Sequence, residues 1–325
     1  MPGRRLGVTH PNAWLDFVQF LVSDGLCWPV VPLFFLISGY LFFSGSRLTT
    51  AGYVAKLRSR VRSLLVPFLF WNILVLALFA LAQTLPAART MVSGKAPTIA
   101  EFGAYDYARA ILGIRHRPIA YQFWYVRDLM LLVLLAPLIG AMARRVPYAL
   151  LVPVCVCWVL HAWPVYAPSP EATLLFAIGA YLAVGRRDAF ALDRYAPVLI
   201  GLYACAVAFG LAHAVPAAEP YVPNLIVALG VPAWLCVSGI VVRYERVRER
   251  LLALRGSAFF VFAAHEPLLT FLRKVFYVAL RPVSPAEAIG VYLVVPILTA
   301  SLLVVVYQLL AKTMPGPLRV ISGGR

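Results

Sequence analysis

Arginine, aspartate, histidine and glutamate cost at least a few kcal/mol each inside a lipid bilayer on insertion scales, and this chain puts them inside apolar stretches at two points. The first is Tyr121-Gln122-Phe123-Trp124-Tyr125-Val126-Arg127-Asp128. On a helix Tyr121, Tyr125 and Asp128 share a face, and Trp124 stands one turn from Arg127 and Asp128. An aromatic belt with an outward-reaching arginine accounts for Trp124 and Tyr125. It does not account for Asp128, which lies deeper and is too short to reach water, so a polar pocket is expected there. The second point is Ala263-Ala264-His265-Glu266-Pro267, about halfway along an apolar run. Pro267 has no N–H to give to the Ala263 carbonyl, and a broken helix with ionisable residues at membrane depth is expected to line a cavity. A core histidine bonded to a neighbour is the competing reading. A third group, Lys56-Leu57-Arg58-Ser59-Arg60-Val61-Arg62, runs straight into Leu64-Leu65-Val66-Pro67. Arg58 and Arg62 are one turn apart and Arg60 projects elsewhere. Guanidinium groups grip phosphate oxygens in a bidentate fork, although a topogenic signal or a headgroup anchor has the same composition.

The elements that carry these groups follow from composition. Of 325 residues, 62% are hydrophobic and 13% charged, where an ordinary globular protein has about a quarter charged. Mean hydropathy is +0.84. No soluble domain covers that much apolar surface, and disordered, collagen-like and small disulfide scaffolds are excluded with it. The fold class is an all-α, polytopic transmembrane helix bundle. Apolar runs of spanning length or near it fall at 28–44, 65–85, 121–142, 147–163, 172–185, 196–214, 222–242, 257–275 and 287–311, which is nine spans. The net charge of +16 divides by loop: eighteen cationic residues fall on the face that holds Arg58, Arg60 and Arg62, and ten on the other. The richer face is expected to be cytoplasmic, with the C-terminus inside. Most of the excess is then topology, and no nucleic-acid partner is expected. The run from Arg243 to Arg255 is partly self-neutralised, since Glu245 can pair with Arg248 and Arg246 with Glu249.

Nine spans with the C-terminus inside leave the N-terminus outside, yet residues 1–27 contain no spanning helix and no secretory signal. Residues 13–26 look like an interfacial helix. A tenth, preceding helix is therefore expected to be missing from this chain. The domain organisation reads as 1–27 an extracytoplasmic or interfacial segment, 28–311 the membrane domain, and 312–325 a cytoplasmic tail. The five cysteines lie in or beside apolar runs and read as small hydrophobes, with no metal site expected. His116, His161 and His213 fall in loops or at loop ends.

Four segments in order resemble the integral-membrane acyltransferase family 3, whose members acylate hydroxyls of sugars and related acceptors. They are Val31-Pro32-Leu33-Phe34-Phe35-Leu36-Ile37-Ser38-Gly39-Tyr40-Leu41, the basic run into Leu64-Leu65-Val66-Pro67 with Trp71, Phe123 to Leu129 ending at Ala136-Pro137-Leu138, and Phe259 to Leu268. Together they cover the chain from about residue 10 to 311. The family also has a first helix with an arginine about ten residues before a histidine taken as catalytic. His10 occupies the histidine-like position, but Arg4 and Arg5 are too close to it and no apolar helix precedes it. The resemblance implies a bacterial cytoplasmic-membrane enzyme with no bound cofactor. Its co-substrate is acyl-CoA, most commonly acetyl-CoA, and its acceptor a carbohydrate or lipid-linked glycan. On that reading Arg58, Arg60 and Arg62 meet the donor's phosphates. His10, with His265 second, is the general base for a sugar hydroxyl, or forms a transient acyl-histidine. Arg127 steadies the oxyanion, Asp128 or Glu266 orients a histidine or binds acceptor hydroxyls, and Trp124, Tyr125 and Ser38 line the acceptor site. A transporter or flippase of a lipid-linked sugar is the competing class.

Overall fold

Each of the nine apolar segments folds into a helix in a computed structural model that describes residues 13–45, 49–85, 98–212 and 221–324. Six helical stretches are long and apolar enough to cross a membrane: Ala13–Phe43, Thr50–Thr84, Tyr121–Arg145, Asp193–Ala212, Tyr221–Val241 and Pro285–Thr313. The other three segments differ. Pro147–Val159 has 13 residues and Pro170–Val184 has 15, about 20 Å and 22 Å at 1.5 Å per residue against a hydrocarbon core of roughly 30 Å. Ala258–Leu280 has 23 residues but is interrupted at Glu266. Among the described residues the nine segments thus sort into six full-length helices, two short ones and one broken one. Residues 13–26, expected at the interface, turn a buried side towards the protein. Leu15 and Gln19 are each 1% exposed, and the segment joins Val30–Phe43 through a π-helical stretch, Phe20–Leu26.

The chain packs as two compact units. One comprises the described residues up to Thr49, Leu135–Leu252 and Pro282–Val291. Its tightest contact is between Val30–Phe43 and Pro170–Val184, whose backbones touch at Gly39 and Gly179. A Cβ on Gly39 would overlap the Phe176 carbonyl, and one on Gly179 the Leu36 carbonyl oxygen. Small residues permit such approach between membrane helices, where dispersion rather than hydrophobicity drives association. Phe42 and Phe176, both buried, close the contact with ring centroids 6.4 Å apart.

The other unit comprises Thr50–Leu134, Ala253–Arg281 and Tyr292–Arg325. Val66–Thr84 forms its spine. Phe68 packs edge-on against Phe123 at 5.9 Å, and Trp71 against Phe260 at 5.8 Å. Trp71 also donates its indole N–H to the Ile321 carbonyl, 3.0 Å away. Fully buried Asn72 donates to the Phe68 carbonyl and accepts from the Ala120 N–H at 3.1 Å. That second bond fixes where the chain turns into the Tyr121–Arg145 helix.

Candidate active site

The second unit holds its polar groups around the interruption in Ala258–Leu280. Proline disfavours helical geometry in the residue before it, and Glu266 accordingly has φ −110° and ψ 135°. The Ala263 carbonyl freed by Pro267 does not go unsatisfied. Gln122 donates from Nε2 to that oxygen at 3.0 Å and to the Glu266 carbonyl at 3.3 Å. Tyr121 donates its hydroxyl to Glu266 Oε1, also at 3.0 Å. Two consecutive residues at the start of one helix therefore cap the break in another. Gln122 is 6% exposed, and its Oε1 makes no hydrogen bond among the described residues.

His265, half-buried, lies one residue before the break. Its Nδ1 is 2.7 Å from the Phe262 carbonyl, which can only accept, so Nδ1 carries the proton. In the neutral ring Nε2 is then left with a lone pair, the form a general base requires. The carboxylates of the two polar motifs are engaged by other donors. Glu266 Oε1 is held by Tyr121, and Asp128 Oδ1 by Arg127 Nε at 3.0 Å and Nη2 at 2.8 Å. The imidazole is therefore oriented by a backbone carbonyl of its own helix.

Arg127 is 9% exposed and Asp128 1%. Such a pair offsets its desolvation only when its remaining donors are also satisfied, and here Arg127 Nη1 donates to the Gly113 and His116 carbonyls, each at 2.8 Å. Gly113 ends the Ala104–Leu112 helix with φ +70°, the left-handed conformation natural to glycine. Arg127 therefore clamps the 113–116 loop instead of aiming its fork into open space. Tyr125 stacks edge-on against Phe262 at 6.2 Å, supporting the residue whose carbonyl orients His265.

Beside the break is a cavity of about 930 Å³. Its walls are Val66–Thr84 from Trp71 to Gln83, the segment from Ile99 to Ile119, and the broken helix from Ala264 to Lys274. The lining is mainly apolar. Its charged members are Glu266, Arg117 and Lys274, with His116 beside them. Along the spine, Trp71 to Gln83 spans about 18 Å. His265, Trp124, Tyr125 and Arg127 are not on this wall. Arg58 and Arg62 are exposed and Arg60 half-buried, all three before the N-terminus of Val66–Thr84. Ser38 belongs to the first unit, half-buried beside the close contact at Gly39. His10 lies outside the described residues. Sequence reasoning placed Tyr121 on one face with Asp128 but gave it no partner, and it missed Asn72, Gln122, Arg117 and Lys274 as site builders. Only Gln122 carried a readable signal: an amide opening an apolar helix, matched to a carbonyl that Pro267 was bound to release.

Comparison with known proteins extends over most of the chain. The model of a family described as an acyltransferase domain matches residues 6–309. The succinoglycan biosynthesis protein ExoH of Rhizobium meliloti is 25% identical over 325 residues, which cover 96% of this chain and 83% of that protein. No solved structure matches.

Proposed function

The chain belongs to the integral-membrane acyltransferase family 3, and on that premise we propose that it moves an acyl group, most simply acetyl, from acyl-CoA to a hydroxyl of a cell-surface polysaccharide or its lipid-linked precursor. The relative named for succinoglycan biosynthesis supports a polysaccharide acceptor. The observation that carries the chemistry is the interruption at Glu266. It puts a carboxylate on the wall of an apolar cavity, next to a histidine whose Nδ1 proton is committed to a backbone carbonyl.

The acceptor oxygen attacks the thioester carbonyl carbon while its proton passes to a histidine nitrogen. The carbon–sulfur bond then breaks and the CoA sulfur leaves with that proton, so the base is regenerated. His265 suits this role because its Nδ1 bond leaves Nε2 with the lone pair, and His10 by family position. Glu266, held by Tyr121, is placed to bind acceptor hydroxyls. Arg127 positions the 113–116 loop. Arg58, Arg60 and Arg62 meet the donor's phosphates on the face that the loop charges assign to the cytoplasm, with the C-terminus on the same side of the bacterial inner membrane.

Membranes containing the chain are incubated with radiolabelled acetyl-CoA and polysaccharide or lipid-linked glycan. Alkali-labile label is expected in the acceptor, and His265→Ala is expected to lower kcat by roughly 10²–10⁴-fold. Full activity in both His265→Ala and His10→Ala sinks the base assignment. Movement of intact glycan without label transfer favours a transporter.

A further inference from the structure

A second cavity, of about 320 Å³, lies within the first unit. Three indoles border it: Trp28, Trp158 and Trp163. They come from the turn before Val30–Phe43, the end of Pro147–Val159 and the connection that follows it. An aromatic belt spreads such rings singly along the interface, whereas these three converge on one space. One ring is fixed by a backbone bond: Trp163 donates its Nε1 proton to the Pro168 carbonyl at 2.9 Å. The backbone carbonyl of Trp158 accepts from Asn224 Nδ2 at 3.3 Å, which ties the end of that helix to Asn224. A ring held in place lowers the ordering cost a ligand meets on binding.

The polar groups on the same wall narrow the ligand class. Glu171 contributes a carboxylate that makes no hydrogen bond or ion pair among the described residues, in the first turn of Pro170–Val184. Asn224 keeps its carbonyl oxygen and one N–H beyond the bond to Trp158. No lysine or arginine among the described residues lines the space; its other polar members are Ser169 and His161, whose Nδ1 lies 3.1 Å from the Val159 carbonyl, so a phosphate or carboxylate ligand would face the Glu171 carboxylate with no permanent cation beside it. An acyl chain would leave Glu171 buried without a partner, which is costly. A metal ion lacks ligands, since no three histidine, cysteine, aspartate or glutamate side chains among the described residues converge to hold one. What matches is a small molecule with apolar C–H faces and a rim of neutral hydroxyls. Its faces lie against the electron-rich faces of the indoles, and its hydroxyls donate to Glu171 and exchange bonds with Asn224. At the lower end of ligand-pocket volumes, the space suits a ligand of sugar size.

We propose that this cavity is a subsite for a neutral pyranose residue of the acceptor, gripped by Trp158 and its two neighbouring indoles and hydrogen-bonded by Glu171 and Asn224. The inference rests on the acceptor being a glycan, and it concerns residues different from those around His265.

The test uses the full chain in lipid nanodiscs. Intrinsic tryptophan fluorescence is titrated with cellotetraose, mannotetraose and galactotetraose, with trigalacturonate as the anionic control. Saturable quenching is expected for at least one neutral tetrasaccharide and not for trigalacturonate. Trp158→Ala and Glu171→Gln are expected to weaken that binding at least tenfold, and Trp158→Phe, which keeps a ring face, less so. In label-transfer assays the same variants should raise the KM of an oligosaccharide acceptor and spare kcat and the KM of acetyl-CoA. No saturable binding of any neutral tetrasaccharide overturns the subsite, as does unchanged binding in Glu171→Gln, the variant least able to disturb folding. Saccharide binding without label transfer from acetyl-CoA sinks the acyl-transfer reading and leaves the subsite standing. Label transfer with unaltered acceptor KM in both variants sinks the subsite alone.

Discussion

Gln122 and Arg127 do similar work by different means: each holds backbone carbonyls that local geometry has left without partners. Gln122 caps the two at the helix break, and Arg127 holds two from the loop that begins at Gly113. Removing such a donor leaves buried acceptors unsatisfied, at about 1–3 kcal/mol. Gln122→Leu is therefore expected to lower the thermal midpoint in detergent by that much stability, with acyl transfer falling alongside. An unchanged midpoint would mean that water replaces the amide. Arg127→Lys keeps the charge but loses the planar fork that reaches Asp128 and the loop together. Faster hydrogen exchange across residues 113–117 and a lower kcat are expected, whereas an oxyanion role would be met by lowered kcat with the loop's exchange unaltered. Asp128 was legible in the sequence as a residue lipid would not accept. Its partner was not. Whether an adjacent arginine turns inward depends on carbonyls fourteen and eleven residues earlier, and these become neighbours only once the loop folds back.

Among the elements, the helix broken at Pro267 was the most readable, because the missing N–H and the restriction on the preceding residue act within five residues. The contact between Val30–Phe43 and Pro170–Val184 was half readable. Gly39 stood out in the family-like Ser38-Gly39-Tyr40 segment, but nothing in the sequence tied it to Gly179. With the Phe176 carbonyl against it, Gly39 has no room for a methyl group, and Gly39→Ala is expected to destabilise the protein by roughly 1–3 kcal/mol or more. Gly201, in Ala196–Ala212, has nothing within 4 Å of the place an added methyl group would take. Gly201→Ala is expected to be neutral or stabilising, by up to about 1 kcal/mol from helix propensity. Thermal unfolding of the two variants side by side reads the difference, and equal effects would deny the close contact. The run from Arg243 to Arg255 met half of what its spacing offered: Arg248 meets Glu245 at 3.0 Å, whereas Arg246 and Glu249, both among the described residues, form no ion pair.

For the molecule as a whole, cation placement matters more than the net charge of +16. Arg58, Arg60 and Arg62 precede the spine helix, while Arg117 and Lys274 stand on the cavity wall. If donor and acceptor use these two groups separately, Arg58/Arg60/Arg62→Ala should raise the KM of acetyl-CoA and spare that of the acceptor, and Arg117/Lys274→Ala the reverse. Initial-rate kinetics in membranes distinguish the two, and a common shift in both parameters would end the division of labour. By itself the sequence determined the helical class, the apolar segments and the break at Pro267, since each depends on composition, periodicity or the stereochemistry of adjacent residues, and its four motif segments carried the resemblance to the family. Only the tertiary structure decided that Gln122 and Tyr121 dress that break, that Arg127 clamps a loop, and that three tryptophans meet beside Glu171. Those pairings join residues set apart in the chain, and hydrogen bonds and ring contacts act over a few ångströms of space whatever the separation in sequence.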